Sequence, residues 1–251
     1  MTRGVTGIGR SSIVIESAPQ GGDQLNRPHV THAMEDYLKA VYRLREQGGP
    51  ITTQRIAEEI GVTGPSVTNM VKRLHDLHLL EHTRYLGVEL TPAGEKIALE
   101  VIRHHRLLEL YLAETLGYSW DEVHDEAERL EHHLSEELEA RIDVTLGHPT
   151  HDPHGDPIPS AEGFVQPLAG TTLDQLPVGA TARVERVVDR DPERLRYLGD
   201  LGLYPGASVV VTERMPFEGP LRILVGDREH IIGRALAMAI YAAPEPSEPA
   251  P

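Results

Sequence analysis

The stretch ITTQRIAEEIGVTGPSVTNMVKRLHDLHLLEH, residues 51–82, decides the fold of the N-terminal part of the chain. Its first positions predict a short helix over 53–60, and Gly61 follows where a tight turn needs a residue that tolerates positive φ. Thr63 can then cap a second helix, and Pro65 suits the first turn of that helix. A helix, a glycine turn and a second helix are the layout of a helix-turn-helix, whose second helix enters the major groove of DNA.

The exposed face of that second helix carries hydroxyl, amide and basic side chains, which suit phosphates and base edges. The following segment, LLEHTRYLGVELTPAGE, indicates a two-stranded ribbon with a turn near 85–87, and a ribbon in this position is a wing. The alternative is a pair of helices that packs and binds nothing. We predict DNA contacts from Thr63, Pro65, Ser66, Thr68, Asn69, Lys72 and Arg73, and a backbone contact from Arg84 in the wing.

The 251-residue chain has a formal net charge of −15, and this charge is unevenly distributed. Residues 1–100 hold 11 basic and 12 acidic residues, a balance of −1, whereas residues 101–251 hold 13 and 27, a balance of −14. A generic polyanion binder is basic. Any contact with nucleic acid is therefore expected in the first hundred residues.

The absence of cysteine excludes disulfides, thiolate metal sites and cysteine nucleophiles. No run of about 18 apolar residues occurs, so no transmembrane helix is expected. The first residues lack a basic segment followed by an apolar one, so we expect no secretory signal. These features predict a cytoplasmic protein without a membrane partner.

Composition and periodicity predict an α+β chain. Residues 92–116 and 119–146 each indicate one long helix with an apolar stripe, and two such helices suit a dimerisation unit. The β-branched segments near the C-terminal end predict a small antiparallel barrel. We predict a disordered extension over 1–29 with a possible strand at 13–15, a winged helix-turn-helix over 30–93, a helical metal-binding and dimerisation domain over 94–147, a Pro/Gly-rich linker over 148–169, the barrel over 170–243 and a disordered tail over 244–251.

The stretch VHDEAERLEHHLSEELEARI, residues 123–142, concentrates carboxylates and imidazoles. On a helix, its residues His124, Glu128, Glu131 and His132 lie within one sector of ~100°. His105 and Glu109 share a face of the preceding helix at i, i+4 spacing. Two such faces can present ligands to divalent cations. Surface ion pairs explain the same pattern, so spacing alone leaves both interpretations open.

Several motifs in order resemble the diphtheria-toxin-repressor family of metal-dependent transcriptional regulators, and its manganese-sensing branch in particular. The resemblance covers about residues 30–243 and rests on MEDYLKAVY, IAEEIGVTGPSVTNMVKRL, HRLLE, VHDEAERLEHHLSEELEARI and HGDPIPS. The C-terminal LRYLGDLGLYPGASVVV and PFEGPLRILVGD resemble the SH3-like domain shared with ferrous-iron transport accessory proteins. The resemblance therefore implies that the predicted barrel is SH3-like.

The resemblance implies two metal sites per subunit. Its primary site matches Asp36, Glu128, Glu131 and His132, and its ancillary site matches His105, Glu109 and His124. The loosely aligned VERVVDRDPE adds Asp189 or Glu185 as a candidate ancillary ligand, while His104 and His133 are expected to be bystanders.

Two positions depart from the pattern of the family. Iron-sensing members place methionine and cysteine at the positions of Asp36 and Glu128. Short manganese sensors have an acid at the position of Lys39, which argues against their form of binuclear cluster here. Ligation by oxygen and imidazole alone suits Mn(II), so we predict manganese as the main effector and Fe(II) as the second candidate.

The sequence therefore predicts a homodimeric, metal-activated regulator that binds double-stranded operator DNA and represses metal-uptake genes. One alternative is a carboxylate-bridged di-metal enzyme, but the chain offers ERLEH rather than paired Glu-x-x-His motifs and has no HExxH. The other alternative is a metal-buffering adaptor in which the helix-turn-helix only packs. We expect no enzymatic activity.

Overall fold

A computed structural model describes residues 30–83, 87–167 and 170–245. The predicted extension with its possible strand at 13–15, the wing residue Arg84 and residues 246–251 of the predicted tail lie outside these ranges. No helix of the described residues is long and apolar enough to cross a membrane.

The N-terminal domain is a winged helix. Its helices are α1 (His32–Gln47), α2 (Thr53–Ile60) and α3 (Gly64–Asp76), followed by the antiparallel strands β1 (Leu80–Thr83) and β2 (Gly87–Leu90). Thr52 caps α2 by accepting a hydrogen bond from the amide of Arg55 at 3.2 Å. Gly61 ends α2 in the left-handed region at φ 76°, as the sequence predicts. The helices bury apolar faces against one another, including Met34, Leu38, Ile56, Val67 and Leu74.

The long helix α4 (Pro92–Leu116) joins this domain to the next. Thr91 caps it by accepting a hydrogen bond from the amide of Gly94 at 3.1 Å. A Cβ at Gly94 would lie 2.0 Å from the carbonyl oxygen of Leu79, so only glycine allows α4 to start this close to the end of the helix-turn-helix. α4 packs against α1 and thereby places its histidines beside the first helix of the chain.

The helix predicted over 119–146 is wrong as a single element. The chain forms α5 (Val123–Leu130), a 3₁₀ turn (Glu131–His133) and α6 (Glu136–Thr145). Leu134 is extended, and the hydroxyl of Ser135 accepts a hydrogen bond from the amide of Leu138 and so caps a new helix. The predicted leucine stripe is therefore split: Leu138 is 49% exposed, whereas Ile142 is buried.

The linker after α6 packs onto α4. Arg103 Nη1 donates to the carbonyl of Pro159 at 2.7 Å, and the Arg106 guanidinium donates to the carbonyl of Pro157. These bonds fix an irregular segment whose prolines cannot join a regular ladder.

The C-terminal domain is a six-stranded antiparallel sheet. Its core consists of buried aliphatic side chains such as Val209 and Ile223. The elements are β3 (Thr171–Thr172), β4 (Thr181–Val187), α7 (Pro192–Asp200), β5 (Ser208–Arg214), β6 (Leu221–Val225), β7 (Arg228–Ile232), α8 (Arg234–Ala239) and β8 (Ile240–Pro244). The strands lie in the order β3-β8-β4-β5-β6-β7 in the sheet.

Candidate metal centre and nucleic-acid interface

The first contact of the candidate centre joins α1 to the 3₁₀ turn. His132 Nε2 lies 2.7 Å from Asp36 Oδ1, and His132 Nδ1 lies 2.7 Å from Glu35 Oε2. Both partners are carboxylates, so both ring nitrogens donate and the ring is an imidazolium. Burial lowers the pKa of His132, but the hydrogen bonds to Asp36 and Glu35 outweigh burial and raise this pKa to about 10.

A lysine from α1 reaches the same cluster. The Lys39 ammonium donates to Glu128 Oε1 at 2.8 Å and makes a shorter bond to Glu131 Oε1. Lys39 is 2% exposed and Glu131 is fully buried, so little solvent screens this ion pair. Burial raises the pKa of Glu128, but the charge of Lys39, followed by that of His105, lowers this pKa to about 2.

The two carboxylate oxygens of Glu131 face two different histidines. Its Oε1 lies 3.4 Å from His132 Nε2, and its Oε2 lies 2.6 Å from His105 Nδ1. Glu128 Oε2 lies 3.4 Å from the same His105 nitrogen and is a buried oxygen without a hydrogen-bond partner among the described residues. The structure therefore places Glu128, expected in the primary site, on the side of Glu131 that faces His105.

The predicted ancillary residues also meet in space. Glu109 Oε1 lies 3.0 Å from His105 Nε2 and 3.1 Å from His124 Nδ1. The two histidine nitrogens are themselves 3.0 Å apart. Burial raises the pKa of Glu109, but the charge of His105 and hydrogen bonds from the surrounding histidines hold it well below its usual range.

A further group of buried ligand-type side chains, which the sequence does not predict as ligands, adjoins Glu109. His154 Nε2 donates to the carbonyl of Trp120 at 2.7 Å, and His154 Nδ1 lies 3.8 Å from Glu109 Oε2. Asp152 Oδ1 accepts bonds from the amides of His154 and Asp156 at 2.8 and 2.9 Å. Burial, with the charges of Asp156 and Glu109, raises the pKa of Asp152 to about 8. The signal available in the sequence is HDPHGD, a stretch that lies in the predicted linker and overlaps the family motif HGDPIPS.

Asp189 lies near the ancillary residues without joining them. It lines a cavity of about 510 Å³ together with His105, Glu109 and His124. Its oxygens accept bonds from the amide of Arg190 at 2.9 Å and pair with Arg194 Nε at 3.0 Å. Its assignment as a ligand therefore stays a prediction.

The two expected bystanders contribute to structure around the centre. His104 Nδ1 lies 3.1 Å from the carbonyl oxygen of Glu131, and its Nε2 lies 3.0 Å from Glu139 Oε2. The His133 ring contacts the His32 ring edge-on, with centroids 4.8 Å apart. His104 thus supports the backbone of the 3₁₀ turn that carries Glu131.

The candidate DNA-contacting residues are exposed. They lie at the N-terminal end of α3 and along the side of this helix that faces away from the core. Val67, Val71 and Leu74 occupy the opposite, buried face of this helix. The Thr63 and Ser66 hydroxyls are 3.0 Å apart, which orders the N-terminal turn that would approach DNA. The exposed candidates are Thr63, Pro65, Ser66, Thr68, Asn69, Lys72 and Arg73.

Comparison with known proteins finds matches over nearly the whole described chain. Residues 29–88 match the family "Iron dependent repressor, N-terminal DNA binding domain", residues 91–160 match "Iron dependent repressor, metal binding and dimerisation domain", and residues 171–244 match the FeoA domain. The iron-dependent repressor IdeR of Mycobacterium tuberculosis is 35% identical over 218 residues, which span 82% of this chain and 94% of the relative. The diphtheria toxin repressor of Corynebacterium efficiens is 32% identical over 213 residues, 79% of this chain and 93% of the relative. The solved structure of a manganese-dependent transcriptional repressor in complex with manganese superposes with a TM-score of 0.80 and is 38% identical in sequence. The match covers 84% of this chain and 100% of the solved chain.

These matches define a class of protein in which a DNA-binding domain is followed by a metal-binding and dimerisation domain. The chain belongs to the iron-dependent repressor family, which includes the diphtheria toxin repressors, and it carries a C-terminal FeoA domain. The resemblance and the α+β fold with an SH3-like C-terminal domain, both predicted from the sequence, are confirmed.

Proposed function

We propose that this protein is a metal-dependent transcriptional repressor that binds operator DNA as a homodimer when its primary site holds a divalent cation. One observation carries the proposal: His132 and Asp36, 96 positions apart in sequence, meet at 2.7 Å across the boundary between the winged helix and the helical domain. The side chains that can hold a metal are thus the side chains that connect the DNA-binding helices to the rest of the protein.

The residues present fit a divalent cation. Ligand atoms of Asp36, Glu131 and His132 lie within 4.8 Å of one another, and the same holds for His105, Glu109 and His124. All donors are carboxylate oxygens or imidazole nitrogens, which hard and borderline divalent ions accept. Glu128 Oε2 lies 3.4 Å from His105 Nδ1, and Glu128, Glu131 and His105 form a third set of candidate ligands.

The chain's own groups explain how metal can be linked to DNA binding. Asp36 lies on α1, and α1 packs against the helix-turn-helix. Asp36 and α3 are therefore expected to move together. A bound divalent cation supplies positive charge that holds the Asp36 carboxylate beside Glu131 and His132. Linkage then requires that operator DNA, which selects the same orientation, tightens metal binding.

Glu35 has a positioning role in this proposal. It accepts the Nδ1 hydrogen of His132 at 2.7 Å and so leaves Nε2, the nitrogen that faces Asp36, as the ligand atom. A ligand histidine commonly donates its second ring N–H to a carboxylate, which fixes the tautomer.

We propose Mn(II) as the main effector and Fe(II) as the second candidate, with two sites per subunit. A relative of known structure is described as manganese-dependent, whereas IdeR is described as iron-dependent. The primary residues Asp36 and Glu128 provide oxygen where softer sulfur ligands would favour other metals.

We also propose a cytoplasmic homodimer that represses metal-uptake genes. The match to a metal-binding and dimerisation domain supports the dimer. Large apolar side chains are exposed on the helical domain, with Leu116 57% and Val144 64% exposed in the single chain. Burial of such side chains between two subunits would stabilise the assembly.

The test is a comparison of genome-wide DNA binding in cells given manganese, iron or a chelator, followed by titration of purified protein on the recovered fragments. We expect a small set of palindromic sites whose occupancy requires metal. Metal binding without DNA enrichment would favour an adaptor. The relatives are repressors rather than enzymes, which argues against the di-metal enzyme. Catalytic turnover without DNA would instead favour the enzyme.

A further inference from the structure

Lys39 occupies an unusual place for a lysine. Only 2% of the residue is exposed, and its side chain projects from α1 into a cluster of predicted metal ligands. Buried lysines are rare unless they are paired. Here the ammonium is paired twice, with Glu128 Oε1 at 2.8 Å and with Glu131 Oε1.

Each of the two glutamates contacts Lys39 with one carboxylate oxygen and faces His105 with the other. Their Oε1 atoms share Lys39, and their Oε2 atoms face His105 Nδ1 at 3.4 Å for Glu128 and 2.6 Å for Glu131. Glu131 Oε1, which Lys39 holds, is also the oxygen that lies 3.4 Å from His132 Nε2. The ammonium thus binds the oxygens that the primary site would use for metal.

We propose that Lys39 is a resident cation of the primary site: its ammonium competes with divalent metal for Glu128 and Glu131 and sets the metal concentration at which the site fills. This inference deepens the proposed function, because it concerns the affinity of the same site. Its physical basis is twofold. A bound ion must take carboxylate oxygens from Lys39, and a positive charge left nearby in a poorly screened site repels the ion.

A purely structural ion pair would behave differently from a competitor. Removing a structural lysine would disorder Glu128 and Glu131 and weaken metal binding, whereas removing a competitor strengthens it. The direction of the change in metal affinity therefore separates the two roles. Stability of the metal-free protein separates them less well, because both roles predict a loss of stability when the buried Glu131 and its neighbour Glu128 lose their shared cation.

The experiment measures Mn(II) affinity of the full-length dimer without DNA, by competition with a chelating dye, for wild type, Lys39→Met and Lys39→Gln. Met keeps the length of the aliphatic stem, and Gln gives a second neutral variant if the first does not fold. We expect both variants to bind manganese about tenfold more tightly or better, an order-of-magnitude figure for removing one nearby charge. Lys39→Arg keeps the charge and should stay near wild type.

Lys96 provides a matched control, because it is an exposed lysine on α4 with no role in either proposed site. Lys96→Met should leave manganese affinity unchanged. A thermal melt gives a second readout: metal-free Lys39→Met should melt below wild type, and saturating manganese should raise its melting temperature by more than it raises that of wild type.

Equal or weaker manganese affinity in both neutral variants would overturn the inference. Tighter binding by Lys39→Arg as well would also overturn it, because the charge would then not be the cause. If wild type takes up no manganese and Lys39→Met does, the inference stands and manganese fails as the proposed effector of the wild type. If none of the proteins binds manganese, the inference and manganese as the proposed effector both fail.

Discussion

Arg190 Nη1 lies 3.0 Å from Glu59 Oε1, although 131 positions separate the two residues. Glu59 is on α2 of the winged helix, and Arg190 is in the loop before α7 of the C-terminal domain. The loop that contains Asp189 and lines the ancillary cavity therefore also contacts the DNA-binding domain. This contact connects the third domain to the first independently of α1.

We expect the Arg190–Glu59 pair to contribute little to global stability. Arg190 is 46% exposed, and an exposed pair is worth at most about 1 kcal/mol. Arg190→Ala, Glu59→Ala and the double variant should give a coupling energy of about 0.5 kcal/mol in urea denaturation. Glu58→Ala, on the same helix, serves as the control. A coupling above about 2 kcal/mol would show that the domains are held together far more tightly than an exposed pair allows.

The primary and ancillary sites should respond differently to mutation. Asp36→Ala removes the proposed α1 ligand and should abolish metal-dependent operator binding, since metal would then no longer connect the two domains. His105→Ala should mainly raise the metal concentration required, by about tenfold or more. Metal titration of operator binding on folded dimers measures both effects. Glu126→Ala, at a partly exposed acid on α5 that pairs with Arg129, should behave as wild type. The reverse ranking of Asp36 and His105 would mean that the two sites are assigned backwards.

Metal binding should release a proton from His132. Its pKa of about 10 keeps the ring charged in the metal-free protein at neutral pH, and a charged ring cannot be a ligand. Apparent manganese affinity should therefore rise with pH by about tenfold per unit below that pKa, before other groups are counted. Calorimetry in buffers of different ionisation enthalpy measures the released protons. Uptake with no proton release at pH 7 would contradict a charged His132.

The same shift fixes the sign of the pH dependence of stability without metal. Because the folded-state pKa is raised, the charged His132 stabilises the metal-free fold fully below the unfolded value of about 6.5. This contribution is lost as pH rises through about 10. The difference in melting temperature between metal-free wild type and His132→Ala should therefore shrink from pH 6 to pH 10. His151→Ala, at an exposed histidine of the linker, should show no such trend.

Lys72→Ala should weaken binding to all DNA sequences alike. Lys72 is exposed on the outer face of α3, and a lysine there is expected to contact phosphate. Loss of one phosphate contact should reduce the slope of log K against log salt by about one. Binding measured from low to moderate salt checks this, and an unchanged slope would remove Lys72 from the interface.

Asn69→Ala should change base preference instead. Asn69 is exposed near the middle of α3, and an asparagine amide can pair with adenine in the major groove. We expect discrimination at one operator position to fall by about 1–3 kcal/mol while the salt dependence stays unchanged. Selection from a randomised operator library measures this preference. An unaltered selected sequence would place Asn69 outside the base-reading face.

Local patterns were sufficient to predict the winged helix, because its turns and caps lie within a few positions of one another. Gly61 ends α2 and Thr91 caps α4 as their residue types require. The break near Leu134 was missed because the leucine spacing suggested continuity, while the Ser135 cap that interrupts it is a single residue. Local chemistry outweighed periodicity there.

Asp36 is predicted as a ligand by the resemblance alone, whereas helical spacing also indicates His132, and the structure brings the two together. The contacts of Lys39 and His154 could not be read from the sequence. Lys39 reaches Glu131 across 92 positions, and His154 reaches the carbonyl of Trp120 across 34. Such contacts depend on how helices pack, which no local pattern of residue types specifies.

Glu131 has a consequence for how the protein responds to a changing metal supply. It is fully buried, and its two oxygens face His132 and His105, which belong to different predicted sites. If the Glu131 carboxylate rotates to bind metal in one site, the oxygen that it presents to the other site changes. Filling one site should therefore change the metal affinity of the other. The metal concentration at which a cell represses its targets would then depend on the occupancy of both sites.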